Sequence, residues 1–169
     1  MRPAFFVALL ALLVATSVQA AHASDGEPHL RGLSPGARRV IQEALERSAV
    51  FRGLSRRLAN TDVVVYVTEQ IPTGVAVSDV HANLRYLTST GGLRFVLVWV
   101  DRWNVTPDTR IELLGHELQH ALEVAAAPEV KDAASLAACY RRIGYESQSG
   151  RFETKAARTV SHRIRQDLG

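Results

Sequence analysis

Leu113-Leu114-Gly115-His116-Glu117-Leu118-Gln119-His120-Ala121-Leu122 is the stretch from which the rest of the chain can be read. At about 100° per residue from His116, Leu114, Leu118, Ala121, Leu122 and Ala125 fall in a stripe of roughly 140–240°. His116 and His120 lie one above the other on the opposite face. The helix has a defined start: Thr106 is placed to cap it, Pro107 suits its first position, and Asp108 suits the positive end of the dipole. The segment therefore reads as a helix with an apolar back and a front that displays His116, Glu117 and His120.

Two imidazoles one turn apart can reach one metal ion from the same side. Glu117 sits about 100° round the helix, beside a metal-bound water rather than the ion. Such a site needs a third ligand and one open position. Three later carboxylates compete for that role: Glu123, Glu146 and Glu153. Glu123 is two turns beyond His116, about 10.5 Å along the axis, which strains bonds of about 2 Å to one ion. It suits a supporting role at the rim better. Glu146 lies in the polar run Tyr145-Glu146-Ser147-Gln148-Ser149-Gly150, a loop signal. Glu153 opens the last helical pattern, where it shares a face with Ala157, Val160, Ile164 and Leu168. A carboxylate on an apolar face must be paired, protonated or bound to metal, although an acid in a first turn also suits the dipole. Glu153 is the preferred third ligand.

Two histidines from one helix with a glutamate from a later one resemble the gluzincin branch of zincin metallopeptidases. Only Glu117 is charged between Leu113 and Leu122, in keeping with the extended motif of those enzymes. The resemblance implies Zn²⁺ held by His116, His120 and Glu153, with Glu117 as general base. It also implies a twisted sheet over the active-site helix, whose edge strand pairs with an extended peptide. The chain departs from the metzincin pattern, since no histidine follows His120 until His162. His162 falls about 180° from Glu153 on the last helix and is no partner for it.

The 169 residues support one domain. Arg2, the apolar run Phe5–Val14 and the small residues around Ala20 and Ala23 read as a secretory signal peptide over residues 1–23, cleaved after Ala20 or Ala23. Residues 24–169 then form a single zincin-like domain, secreted or periplasmic, without a later membrane span. Cys139 is the one cysteine, so no intrachain disulfide forms, and it reads as a buried helical position. Eighteen arginines and two lysines are scattered along the chain and the net charge is +3, a distribution that argues against a nucleic-acid surface.

Ser34-Pro35 starts a helix with Val40, Ile41, Ala44 and Leu45 on one face, and a second helix runs from Ala49 to Leu58. Val63–Thr68 reads as a central strand, and Pro72–Asp79 as a loop. Leu84–Thr88 and Leu93–Val100 flank Gly91-Gly92, a hairpin signal. The second arm is apolar on both faces, whereas Arg85, Thr88 and Ser89 make the first the better edge. A helix over Ala133–Ile143, stopped by Gly144, precedes the polar run and the last helix. This order predicts an α+β fold: two N-terminal helices, a short and mostly antiparallel sheet with a hairpin, the HExxH helix and two C-terminal helices.

The functional expectation is a secreted zinc-dependent metallopeptidase acting on peptides or proteins. Tyr140, Tyr145, Arg151 and His162 are chemically able to donate to an oxyanion. Two rivals stand beside it: an exported binding domain with a structural or vestigial metal site, and a metal-dependent amidase of cell-envelope material. The carboxylate of Glu117, which a purely structural site does not need, favours chemistry.

Overall fold

Val63-Val64-Val65-Tyr66-Val67-Thr68 is almost wholly β-branched, a composition that packs well on a pleated surface. It forms strand β2, between β1 (Leu30–Gly32) and β4 (Leu93–Val100). The computed structural model describes residues 29–71, 80–146 and 152–169. The expected signal peptide, the loop at residues 72–79 and Arg151 lie outside them. Among the described residues, five helices and a mixed four-stranded sheet in the order β1-β2-β4-β3 make the architecture α+β, with β3 spanning Ala82–Thr90.

The expectation of a mostly antiparallel sheet is corrected. β1 pairs with β2 in parallel and β2 pairs with β4 in parallel; only the β3–β4 hairpin is antiparallel. The cause is visible in β4. Val96, Val98 and Val100 are buried on one face and Trp99 on the other, so the strand needs cover on both sides and takes an inner position. Polar β3 is left at the edge, as its composition suggested. The turn is Gly91-Gly92, both at positive φ (58° and 78°), which matches the strand twist without a Cβ penalty. β1 was not foreseen; three residues are too few for a pattern, and its partner lies more than thirty positions later.

Four helix boundaries follow their end signals. Helices α1 (Pro35–Arg47) and α2 (Ala49–Leu58) begin at Ser34 and Ser48, whose side chains accept from the backbone of Ala37 and Phe51. Helix α3 (Pro107–Ala125) begins at Thr106, which accepts from Thr109 N–H at 3.2 Å. Helix α4 (Ala133–Ile143) is closed by Gly144 and holds Cys139, whose burial pushes its thiol upward. The fifth boundary differs. Helix α5 is Lys155–Leu168, capped by Thr154, while Phe152–Glu153 is a short strand, β6, antiparallel to β5 (Tyr145–Glu146). Thr154 is extended (φ −120°, ψ 150°) and accepts from Ala157 N–H, a local bond that sets the helix start after Glu153.

Helix α5 lies antiparallel along α3. Thr154 Oγ1 donates to Glu123 at 2.7 Å, His116 Nδ1 meets Ser161 Oγ at 3.0 Å, and Arg165 Nε donates to Glu112 at 3.0 Å. Gly115 permits the approach: a Cβ there would stand 2.0 Å from Ile164 Cδ1. The front of α3 is therefore roofed by α5 rather than open to solvent. Glu117 is only 7% exposed and His120 6%.

The other end of α3 is fixed by Arg94, a 5%-exposed arginine inside β4. Its Nε and Nη2 each donate at 2.7 Å to one oxygen of Asp62, just before β2. Nη1 donates to the carbonyls of Val124 and Ala127, both at 2.7 Å, and Nη2 to that of Ala125 at 3.2 Å. One cation thus adds a donor to carbonyls at the helix end, those of Val124 and Ala127 also accepting from the N–H groups of Ala127 and Val130, and complements the negative dipole. The same guanidinium holds the Asp62 carboxyl below its usual range.

Arg94→Met keeps an apolar stem but removes the buried charge-assisted hydrogen bonds to the helix end and to Asp62, and should cost at least about 3 kcal/mol in urea unfolding. Asp62 is 43% exposed, so Asp62→Asn should cost only about 1 kcal/mol. Equal losses for the two variants would show that the ion pair, rather than the helix end, matters.

Candidate metal centre

His116 and His120 leave α3 on one face because they are one turn apart, and each ring has one nitrogen already engaged. Nδ1 of His120 donates to Glu123 Oε2 at 2.7 Å, and Nδ1 of His116 meets Ser161 Oγ. With both Nδ1 atoms tied, both Nε2 atoms face the same point, 3.2 Å from each other. Tyr140 lies edge-on to the His120 ring at 5.1 Å between centroids, and its hydroxyl donates to the His120 carbonyl at 3.3 Å.

Glu153 arrives from β6. Its Oε1 lies 3.5 Å from His116 Nε2 and 4.0 Å from His120 Nε2. A triangle with these sides has its equidistant point roughly 2.1 Å from each corner, the reach of zinc-type bonds to nitrogen and oxygen. The three residues form a group able to hold a metal ion. The donor chemistry fits as well: two imidazole nitrogens and one carboxylate oxygen, with the supporting bonds that usually orient metal-binding histidines.

The expected roles separate clearly. His116, His120 and Glu153 come together, although Glu153 does so from a strand and not from a helical face. Its carboxylate is steadied by the Thr154 N–H at 2.8 Å. Glu123 takes the supporting place foreseen for it, held between His120 and Thr154. Glu117 is buried on α3, and its charge acts on His120 and Tyr140. Among the candidate donors, Tyr140 is buried and directed at the His120 carbonyl, while Tyr145 and His162 are exposed.

Sequence reasoning missed Ser161 and Thr154, and saw in Gly144 only a helix stop. Thr154 had a signal, a threonine three positions before Ala157 at the head of an apolar pattern, where a cap belongs. Ser161 had none, since its partner is 45 positions away. Gly144 does more than end α4: a Cβ there would lie 2.6 Å from the backbone oxygen of Glu153. Its absence lets the strand carrying the carboxylate close on α4.

Burial pushes His116 down to about 4, helped by the charge of His120 and opposed by that of Glu123. Burial also acts to lower His120, but the bond to Glu123 and the charges of Glu117, Glu123 and Glu153 outweigh it, so His120 is raised. Burial would raise Glu123, yet His120 and Thr154 hold it low. Without an ion, the raised imidazole of His120 is disposed to share a proton with the neutral Nε2 of His116. Binding of a metal ion must displace that proton, so affinity rises with pH.

Comparisons of the chain with models of protein families, with curated proteins and with solved structures gave no match.

Titration of the protein with a divalent transition-metal ion against a chromophoric chelator should give one site, lost in His116→Ala and in His120→Ala. Glu123→Gln should retain it with affinity about 10–100-fold weaker, because His120 loses its anionic partner. Gly144→Ala should weaken it too, by pushing Glu153 outward while leaving both histidines in place. Unaltered affinity in Gly144→Ala would remove Glu153 from the ligand set.

Proposed function

We propose that this protein is a zinc-dependent hydrolase of peptide bonds. The observation that carries the reading is the convergence of His116 Nε2, His120 Nε2 and Glu153 Oε1 within 4.0 Å of one another, with Glu117 buried on the same helix. Three protein ligands leave a coordination position open, the form taken by catalytic rather than structural zinc sites. Zinc, when bound, supplies a Lewis acid and brings the pKa of a coordinated water to about 7.

The chain's own residues account for the remaining requirements. Glu117 takes the proton of the attacking water and delivers it to the leaving amine, as a carboxylate held out of bulk solvent is suited to do. Glu123 and Ser161 keep the two imidazoles in one tautomer and one orientation. Tyr140 anchors the backbone of His120 from beneath. The peptide as substrate class is supported by β3, which packs on both α3 and α4 and has no strand beyond it among the described residues. A free edge recognises an extended chain through its backbone. The apolar N-terminal stretch supports an exported place of action. Among the described residues, no helix is long and apolar enough to cross a membrane.

Glu117→Gln should bind one zinc per chain, unfold at the wild-type denaturant midpoint, and lose at least about a hundredfold in turnover of quenched fluorescent peptides. Full activity in that variant would remove Glu117 from proton transfer. Turnover confined to amides of cell-wall peptides would shift the reading to an envelope amidase. A zinc-loaded wild type inert towards both substrates would mark a binding domain.

A further inference from the structure

Beside the metal group, the outer face of α5 forms one wall of an open pocket of about 720 Å³, lined by Tyr145, Lys155, Arg158, Thr159 and His162. The four helix residues stand at positions i, i+3, i+4 and i+7 and share one face. Register joins this pocket to the ligand set. Tyr145 stands directly opposite Glu153 in the β5–β6 pair, so the two side chains leave the same face roughly 5 Å apart. Arg158 Nη1 donates to the Tyr145 hydroxyl at 3.0 Å, and its charge interacts with Glu153. Ser161, the residue before His162, holds His116.

Within the shelf, Arg158 meets the Tyr145 hydroxyl and the charge of Glu153 but no carboxylate at ion-pair distance. Among the described residues no ion pair is made by Lys155, Arg158 or His162, whereas Arg47, Arg94, Arg142 and Arg165 each have one. The nearby carboxylates are otherwise engaged, Glu123 by His120 and Thr154 and Glu153 at the metal group. Lys155 and Arg158 also stand in the first turns of α5, where the helix dipole disfavours cations. Two cations kept at the wrong end of a helix, without an ion pair among the described residues and next to the metal group, call for an anion from outside.

We propose that Lys155, Arg158 and Tyr145 form a subsite for a carboxylate of the substrate, so that the hydrolase selects peptides presenting a carboxylate beside the scissile bond. The assignment rests on the hydrolase reading and adds its substrate class. The carboxylate has two sources, an acidic side chain or a free C-terminus, and both place the same two oxygens on the guanidinium and ammonium groups.

The test uses the zinc-loaded Glu117→Gln protein, which retains its ligands without turnover, and three fluorescent hexapeptides read by anisotropy. One carries a central glutamate and a C-terminal amide, one a central glutamine and a C-terminal amide, and one a central glutamine and a free C-terminus. The glutamate peptide, the free-carboxylate peptide or both should bind about tenfold more tightly than the neutral one. The peptide that does so identifies the source. Adding Lys155→Ala and Arg158→Ala should bring all three within about twofold, and Arg158→Glu should lower affinity for the carboxylate peptides below that for the neutral one. Equal affinity in the unsubstituted shelf, no binding of any peptide, or a preference that survives the double substitution would overturn the proposal. Failure of the hydrolase reading shows separately, as zinc-loaded wild type without turnover, while the binding preference stays measurable.

Discussion

The buried guanidinium of Arg94 is the constraint on which the rest of the molecule depends. A cation removed from water is tolerated only when its donors are spent, and here they are spent on three parts of the chain at once. Asp62 brings the start of β2 to β4, and the carbonyls of Val124, Ala125 and Ala127 bring the end of α3 to the same point. The position of α3 over the sheet is thereby set at its C-terminal end, one turn beyond His120. At the opposite end Arg47 reaches Asp108, but that pair is exposed and contributes little. The histidines sit on the half of the helix that is held.

Around this anchored helix the centre is assembled by two kinds of close approach. Gly115 brings α5 onto the front of α3, and Gly144 brings β6 onto the end of α4. The first supplies Ser161 and Thr154, which hold His116 and Glu123; the second supplies Glu153 itself. The candidate ligands are thus on rigid elements or immediately beside a helix cap, and each has a hydrogen bond that fixes its orientation. Such support is what separates a usable centre from a chance cluster of polar side chains.

Much of this was legible where the chemistry is local. Ser34-Pro35 and Thr106-Pro107 placed two helix starts, Gly144 placed a helix end, and the two-sided apolar pattern of Leu93–Val100 marked an inner strand. The i, i+4 spacing of His116 and His120 gave the heart of the site. What escaped depended on partners far along the chain. Arg94 looks like an interruption in an apolar strand until the carbonyls near residue 125 are beside it. β1 is too short to announce itself, and the parallel pairing of β2 with β4 follows from where the sheet needs its most apolar strand. Glu153 was chosen for a helical face it does not occupy; the threonine cap one residue later moves it out of the helix, and Gly144 brings it to the histidines.

The separation of the three candidate ligands in sequence has a thermodynamic result. His116 and His120 are paired by the helix alone, whereas Glu153 reaches them only after β6 and α5 have docked, 33 positions later. An ion bound by all three stabilises the docked C-terminal segment by the same free energy that docking adds to its retention. The C-terminal tenth of the chain and such an ion would therefore be mutual effectors: agents that peel α5 from Gly115 would act as chelators without touching the metal, and chelators would act as local denaturants without touching α5.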